Sequence, residues 1–264
     1  MKIWMMTDME GVAGVFSFDD HASRGGRWYD LSRKLLTQEV NAATEGAFDS
    51  GASEILVVDG HGAGGLNIDE LDPRVKLLGG SPMPLPWGVD GTFDAAFIIG
   101  QHAMAGTERA HLSHTESHTA IQNVWMNGKR IGELGIVAAV AGHFSVPTIL
   151  VTGDMAACME AKSIIPQVGT VVVKEGISHG AAISMTPIEA RRSIKEGAKA
   201  ALARIDEIKP YRLQSPVELK VEFTEADKSS AETLSMKSQM KKLDTRTVRT
   251  EGADVLEVLS KWWY

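Results

Sequence analysis

The sequence is poor in cysteine and has no long uninterrupted hydrophobic segment. Cys158 is the only cysteine among 264 residues, which excludes an intramolecular disulfide, and we interpret its thiol as buried and inert. The absence of any run of about 18 apolar residues excludes a membrane-spanning helix. Asp8 and Glu10 interrupt the N-terminal apolar segment and argue against a secretory signal. We therefore expect a cytoplasmic protein with no membrane partner.

Positive charge is also scarce. The chain has 27 Lys and Arg residues against 34 Asp and Glu residues, a net charge of −7. A nucleic-acid-binding protein needs a basic surface to neutralise phosphates, and the most basic stretch, 237–249, is interleaved with polar residues as in a solvated surface. We expect no nucleic-acid partner. With 44% apolar and 23% charged residues, the composition also excludes disorder, collagen and coiled coil as the main architecture.

Apolar segments of strand length alternate with helical patterns over most of the chain. The sequence predicts strands at 3–7, 54–58, 94–99, 147–151 and 170–173, and helices at 31–48, 134–141, between the last two strands, and from Pro187 to about 208. This alternation is typical of an α/β fold with a mostly parallel central sheet flanked by helices. Asn127-Gly128, between two short strand-like segments, predicts a hairpin.

The pattern changes after Pro210. Apolar residues at every second position of 217–223 alternate with charged ones, which predicts a half-exposed strand. A helix from about 225, a strand near 245–250 and a helix at 253–262 are predicted to follow. We therefore predict an α/β domain over 1–209 that carries the functional site, and a smaller C-terminal α+β lobe over 210–264.

Polar side chains follow three of the predicted strands, at the point where each strand ends. Asp8 and Glu10 follow the first strand, Asp59 and His61 the second, and His102 the third. The carboxyl ends of parallel strands meet at one edge of a sheet, so these groups are expected to converge. In addition, four of the eight histidines lie between 102 and 118, a local enrichment that indicates a metal or acid–base site.

The residue types favour a metal site over a purely structural cluster. Asp8 and Glu10 are two residues apart, so an extended backbone directs both carboxylates to one side, where they repel each other unless a cation is bound. Carboxylate and imidazole ligands suit zinc, manganese or cobalt, and a bridging carboxylate is typical of two-metal hydrolases. Each residue alone also fits an ordinary role; Glu133, for example, fits a first-turn helix carboxylate.

Two other motifs fit their usual functions poorly. Gly60, Gly62 and Gly65 match the spacing of the dinucleotide fingerprint, but Pro73 leaves room for only a turn or two of the helix that should follow. We interpret these glycines as letting the backbone bend around His61. His114 and His118 have the spacing of a metalloprotease helix motif without its glutamate.

Several blocks together resemble the zinc-dependent D-aminopeptidase family, the dipeptide-transport-associated bacterial enzymes. The blocks are Thr-Asp8-Met-Glu10-Gly-Val-Ala-Gly, Val-Val-Asp59-Gly-His61, Gly100-Gln-His102-Ala, Leu-Ser113-His114-Thr and Asn127-Gly-Lys-Arg-Ile-Gly-Glu133-Leu-Gly. Their order and spacing agree over nearly the whole chain, and the part after Pro210 matches loosely. The combination is specific, although no single block is.

The resemblance implies a site with two Zn²⁺ ions per subunit, with Mn²⁺ or Co²⁺ as alternatives. Asp8 would bridge the two metals, and His114 would be the catalytic residue. The implied pairing of the remaining ligands places Glu10 and His102 on one metal and His61 and Glu133 on the other. The implied substrate is a short peptide with an N-terminal D-residue, such as D-Ala-D-Ala, and the implied assembly is a homo-oligomer in the form of a decameric ring.

Two other classes of function remain open from the residues alone. The same ligands fit a two-metal amidohydrolase or phosphoesterase that acts on another small substrate. They also fit a non-catalytic, metal-stabilised protein that binds peptides. Gly60 and the length of the segment from His102 to His114 depart from the family pattern, which affects the expected substrate more than the expected metal site.

Overall fold

The computed structural model describes residues 1–62 and 64–263. Its strands are β1 (Lys2–Thr7), β2 (Glu54–Asp59), β3 (Lys76–Leu78), β4 (Ala95–Gln101), β5 (Ile121–Met126), β6 (Lys129–Arg130), β7 (Thr148–Asp154), β8 (Gly169–Ser178), β9 (Ala181–Ser184), β10 (Val217–Phe223), β11 (Lys241–Lys242) and β12 (Thr247–Gly252). Its α-helices are α1 (Tyr29–Asp49), α2 (Glu133–His143), α3 (Met155–Ile164), α4 (Pro187–Leu202), α5 (Ser229–Lys237) and α6 (Val255–Trp263).

A central sheet has the strand order β3-β2-β1-β4-β7-β8-β9. Its neighbouring strands are parallel except for β9, which pairs antiparallel with β8 at one edge. β4 and β7 are buried along their whole length, as expected for continuous apolar strands covered on both faces. The predicted mostly parallel sheet is confirmed, and because β1 lies between β2 and β4, the three strand ends that carry polar residues are neighbours.

Helices cover the sheet in two groups. α1 packs against α4, whereas α2 packs against α3 and α6. α4 begins with Pro187 directly after Thr186, as predicted, but it ends at Leu202 and a short 3-10 turn follows at Ile205–Glu207. α2 is apolar on all sides and is buried from Leu134 to Gly142, so its first residue, Glu133, is held against the sheet. In residues 1–62 and 64–263, no helix is both long and apolar enough to cross a membrane.

A second, antiparallel sheet has the strand order β11-β12-β10-β5-β6. In β10 the side chains alternate between buried and half-buried, which confirms the period-two pattern predicted there. The Asn127-Gly128 turn joins β5 to β6, and β5 pairs with β10. Strands from 121–130 and from the C-terminal segment therefore share one sheet, and the division of the chain at 209 and 210 stays a prediction.

Candidate metal centre

The site lies at the carboxyl ends of three adjacent parallel strands. Asp8 directly follows β1, His61 follows β2 by two residues, and His102 directly follows β4. β1 pairs in register with β2 on one side and with β4 on the other, so the three strand ends lie next to one another. Glu133 reaches the same place from the first turn of α2. This is the edge at which open α/β sheets usually bind ligands.

Asp8, Glu10 and His61 form a first cluster of buried ligand atoms. The Nδ1 atom of His61 lies 3.2 Å from Asp8 Oδ1 and 3.1 Å from Glu10 Oε2. The Nε2 atom of His61 lies 2.7 Å from the carbonyl oxygen of Ala22. A carbonyl only accepts hydrogen bonds, so Nε2 carries a proton, and in the neutral ring the lone pair of Nδ1 faces the carboxylates.

His102, His114 and Glu133 form a second cluster. The Nε2 atom of His102 lies 3.1 Å from Asp8 Oδ2 and 3.4 Å from Glu133 Oε1. The Nδ1 atom of His102 donates to the carbonyl of Ala103 over 3.0 Å, which leaves the Nε2 lone pair of the neutral ring free for a metal. The His114 ring stacks on the His102 ring with 3.8 Å between the centroids, and its Nε2 lies 3.6 Å from Glu133 Oε1.

Asp8 joins the two clusters because its carboxylate oxygens face different partners. Oδ1 lies near His61 in the first cluster, and Oδ2 lies near His102 in the second. The backbone N–H of Met9 donates to Oδ1 and the side chain of Gln101 donates to Oδ2, so the carboxylate is held between the clusters. This grouping differs from the pairing expected from the resemblance, since Glu10 lies with His61 and Glu133 lies with His102.

The residues of both clusters fit divalent metal ions. Glu10 Oε2 and His102 Nε2 are buried and make no hydrogen bond within the described residues, although each lies 3.1 Å from another potential ligand atom, His61 Nδ1 and Asp8 Oδ2 respectively. Buried polar atoms are usually hydrogen-bonded, so one such unpartnered atom in each cluster indicates a cation there. The donors are carboxylate oxygens and imidazole nitrogens, the set that zinc, manganese and cobalt accept.

The site concentrates negative charge, as the pKa values of its histidines indicate. Burial acts to lower the pKa of His61, but the carboxylates of Glu10 and Asp8 outweigh it and raise this pKa well above the ordinary value. The pKa of His102 is likewise raised by Glu133 and Asp8 against the effect of burial. The pKa of His114 is instead lowered, first by burial and then by His102. The centre therefore stabilises positive charge, and His114 is the imidazole that remains most easily neutral.

Glu116 also belongs to the site, although sequence reasoning did not identify it. Its backbone N–H donates to Glu133 Oε1 over 2.6 Å, and its φ angle of 60° lies in the left-handed region, which a glutamate rarely adopts. Such backbone conformations cluster at functional sites. The Glu116 side chain lines the cavities beside the centre, where desolvation and then the carboxylates of Glu133 and Asp8 raise the pKa of its carboxyl well above the ordinary value. Its position two residues after His114 was the available sequence signal.

Lys174 is a second residue to which the sequence alone assigned no role. It lies on β8, is 2% exposed, and donates from Nζ to the carbonyl oxygens of Glu10 and Val15. Burial lowers the pKa of Lys174 to about 8, although Asp154 and Glu39 act in the opposite direction. Lys174 thus holds the backbone that carries Glu10, and a lysine at the end of an apolar strand was the signal for it.

Two cavities meet at the centre. One has a volume of about 360 Å³ and the other about 320 Å³. Asp8, Glu116 and Glu133 line both of them, together with Gly60 and Gly62. His61 and His114 line the smaller cavity and are absent from the lining of the larger one. A ligand that reaches the metal centre can therefore extend to either side of it.

Comparison with known proteins identifies the family to which the chain belongs. The sequence matches the D-aminopeptidase family, peptidase family M55, over residues 1–263. A D-aminopeptidase of Bacillus subtilis (strain 168) is 34% identical over 260 residues, which are 97% of this chain and 93% of the relative. The solved structure of the Zn-dependent D-aminopeptidase DppA from Bacillus subtilis, described as a self-compartmentalizing protease, superimposes with a TM-score of 0.93 at 33% identity, covering 99% of this chain and 95% of that one. The resemblance seen in the sequence motifs is confirmed, and the chain belongs to the D-aminopeptidase family of peptide hydrolases.

Proposed function

We propose that the protein is a zinc-dependent aminopeptidase that removes the N-terminal D-amino acid from short peptides such as D-Ala-D-Ala. The proposed metal ligands are Asp8, Glu10, His61, His102 and Glu133, with Asp8 shared between two ions. The observation that carries the proposal is the pair of three-residue ligand clusters joined by the two oxygens of Asp8. Zinc is the proposed metal because the solved relative is described as Zn-dependent and because the donor atoms suit it.

Two zinc ions bound there would supply an activated water at neutral pH and polarise the scissile carbonyl. The chain contributes the geometry: hydrogen bonds from Met9 and Gln101 hold the Asp8 carboxylate, and the carbonyl of Ala22 sets the tautomer of His61. These contacts hold the ligand atoms in one arrangement before substrate binds, which limits reorganisation during the reaction.

We assign the proton transfer to Nε2 of His114. Its Nδ1 donates to the carbonyl of Leu112 over 3.0 Å, so the lone pair of Nε2 in the neutral ring points toward the centre beside Glu133. From there Nε2 takes up the proton released by the attacking water and delivers it to the nitrogen of the leaving amine. The products are a free D-amino acid and the shortened peptide, so atoms and charge balance with one water consumed.

We assign the recognition of the substrate's free amine to Glu116. Its side chain lies at the junction of the two cavities, next to both ligand clusters but outside them. The positive charge of a peptide's α-ammonium lowers the raised pKa of the Glu116 carboxyl and pairs with the carboxylate, whereas a blocked N-terminus offers no such charge. This arrangement supports removal of one residue from the N-terminus in preference to internal cleavage.

We further propose that the protein forms a homo-oligomer, with the decameric ring implied by the sequence resemblance as its form. The solved relative is described as self-compartmentalizing, and a compartment requires several subunits around an internal space. Such an enclosure restricts the substrate to short peptides.

Hydrolysis of D-Ala-D-Ala beside L-Ala-L-Ala, with and without a chelator, tests the proposed function. We expect chelator-sensitive release of free alanine from the D,D dipeptide alone and two zinc ions per chain by elemental analysis. Release from the L,L dipeptide would still support a metallopeptidase but would contradict the proposed preference for D-residues. No release from either peptide by metal-loaded protein would favour another two-metal hydrolase or a binding protein.

A further inference from the structure

The larger of the two cavities has a polar side and an apolar side. Its polar lining includes the proposed metal ligands Asp8 and Glu133. The apolar part of its lining consists of Met6, Pro82, Met83, Trp87, Val137 and Trp263. With about 360 Å³, the cavity falls in the range of roughly 300–1,000 Å³ that is typical of small-molecule sites. An apolar wall beside a polar reaction centre is the usual construction of a side-chain subsite.

The apolar wall is held in a defined shape by the surrounding core. The buried indole of Trp4 donates from Nε1 to the carbonyl of Trp87 over 3.0 Å. The rings of Trp87 and Trp263 lie 5.4 Å apart, and Trp263 in turn stacks on the buried Trp262. Val137 lies one helical turn after Glu133 in α2. Trp87 and Trp263 are thus supported by neighbouring core side chains, and α2 carries both Val137 of the wall and Glu133 of the metal centre.

The position of His114 distinguishes the two cavities. His114 lines only the smaller cavity, so the leaving amine to which it delivers a proton lies on that side. The residue on the other side of the scissile bond, which is the N-terminal residue, then lies toward the larger cavity. Glu116 lines both cavities where they meet, so its carboxyl lies beside the ammonium group of the N-terminal residue in this placement.

We propose that the larger cavity is the subsite for the side chain of the N-terminal D-residue and that it selects side chains of leucine to phenylalanine size over alanine. This inference rests on the aminopeptidase function proposed above. A methyl group leaves most of the cavity and its two tryptophan rings in contact with water. A methylene that fits an apolar pocket changes kcat/KM by about 10- to 200-fold, so a larger apolar side chain gains more than an order of magnitude.

A pair of dipeptide series tests the subsite. D-Leu-D-Ala and D-Phe-D-Ala carry the large side chain on the N-terminal residue, whereas D-Ala-D-Leu and D-Ala-D-Phe carry it on the second residue. We expect kcat/KM for at least one member of the first series to exceed that for D-Ala-D-Ala by about tenfold or more. The second series should show no such gain. Equal or better cleavage of D-Ala-D-Ala would overturn the subsite while leaving the aminopeptidase function intact.

Variants of the wall give an independent test. Val137→Phe fills the cavity, and we expect it to lower the ratio of kcat/KM for D-Leu-D-Ala over D-Ala-D-Ala by about tenfold or more. Trp263→Ala removes part of the apolar wall and should lower the same ratio. This variant provides the test if Val137→Phe does not fold. Trp125→Ala is the matched control, since Trp125 is half-buried on β5 outside the cavity lining. An unchanged ratio in both wall variants, with D-Ala-D-Ala still cleaved, contradicts the proposal.

Binding of a reaction product provides a readout that does not require turnover. Titration with D-phenylalanine should change the tryptophan fluorescence, because Trp87 and Trp263 line the subsite. D-Alanine should bind at least tenfold more weakly, and Trp263→Ala should reduce this difference. Equal binding of both amino acids overturns the subsite alone. Failure of metal-loaded protein to cleave any of the D-dipeptides overturns the proposed function and the subsite with it.

Discussion

At the scale of single residues, the three histidines of the centre share one hydrogen-bonding pattern. Each donates one ring N–H to a backbone carbonyl: His61 to Ala22, and His102 and His114 to nearby residues of their own loop. In each neutral ring, the other nitrogen then offers a lone pair toward the carboxylates. Backbone carbonyls therefore decide which nitrogen faces the reaction centre, and this depends on how the loops fold.

The proposed role of His114 leads to a prediction about activity and metal content. His114→Ala should retain both metals, because none of the five proposed ligands is changed, and should lower kcat by about 10²- to 10⁴-fold through loss of proton transfer. Elemental analysis and steady-state kinetics on D-Ala-D-Ala measure the two effects. His143→Ala, at the far end of α2, is the control and should behave as wild type. Near-normal turnover by His114→Ala would contradict the role assigned to Nε2.

At the scale of secondary-structure elements, the loop that follows β1 is held by neighbouring elements. Lys174 on β8 donates to the carbonyls of Glu10 and Val15. The N–H of Ala13, in the same loop, donates to Glu39 of α1. β8 and α1 thus place the backbone that carries Glu10, although neither supplies a ligand of the proposed metals.

Removal of the Lys174 ammonium should weaken both the fold and the metal site. Lys174→Met leaves two buried carbonyl oxygens without a donor, at a cost of about 1–3 kcal/mol for each unsatisfied group. We expect a lower urea midpoint and weaker zinc binding, because Glu10 loses its support. Lys199→Met is the matched control: Lys199 is half-buried on α4 and pairs with Glu196 at the surface, a contact worth little, so the variant should change neither the urea midpoint nor zinc binding appreciably. A Lys174→Met protein with wild-type zinc affinity would show that this lysine serves the fold alone.

The buried carboxyl of Glu39 leads to a prediction about how the stability of the protein depends on pH. Burial raises the pKa of Glu39 from the ordinary value of 4.5 to about 8, although the Ala13 N–H, Lys174 and Arg191 act in the opposite direction. The folded protein keeps this proton up to about pH 8, whereas the unfolded chain releases it near 4.5. The stability that the neutral carboxyl contributes is therefore complete below pH 4.5 and is lost as the pH rises toward 8.

Glu39→Gln replaces the carboxyl with a group that stays neutral at every pH. Relative to this variant, wild type should lose at most about 1.4 kcal/mol of unfolding free energy per pH unit between the two pKa values. Urea denaturation of both proteins at pH 5 and at pH 8 measures the difference. A difference that is the same at both pH values would mean that Glu39 is ionised in the folded protein throughout.

At the scale of the whole molecule, one edge of the central sheet exposes apolar side chains. Ile183 on the edge strand β9 is 63% exposed, and Ile177 and Ile188 nearby in the chain are 55% and 73% exposed. An edge strand has unpaired backbone groups, and an apolar edge strand tends to associate with another chain. This edge is a suitable contact for the proposed homo-oligomer.

The oligomer and this edge can be tested together. Light scattering should give a mass several times that of one 264-residue chain for wild type. Ile183→Lys places a charge on the edge and should reduce the mass, because a buried unpaired charge is costly at an interface. Met236→Lys, at an exposed position on α5, is the control and should keep the wild-type mass. A monomeric wild-type protein would contradict the proposed homo-oligomer. An unchanged mass in Ile183→Lys would show that the subunits contact each other through another surface.

Local patterns were sufficient for much of the architecture. The continuous apolar strands, the alternation of strand and helix, and the period-two strand after Pro210 were predicted from residue order, because hydrophobic periodicity reflects burial directly. The same holds for the polar residues at three strand ends, where the order of types placed Asp8, His61 and His102 at one edge. The ends of helices were predicted less accurately: α4 ends at Leu202, about six residues before the predicted end.

The grouping of the ligands and the role of Lys174 could not be predicted from residue order, because both depend on contacts between distant parts of the chain. Glu10 lies with His61 and Glu133 with His102 because the loops after β1 and β2 fold toward each other and α2 enters beside β4, which no local pattern records. The same reason applies to Lys174, which acts on a loop about 160 residues earlier in the chain. Residue types thus indicated a metal site and the motif blocks indicated the family, whereas long-range packing arranged the two ligand clusters and the apolar cavity beside them.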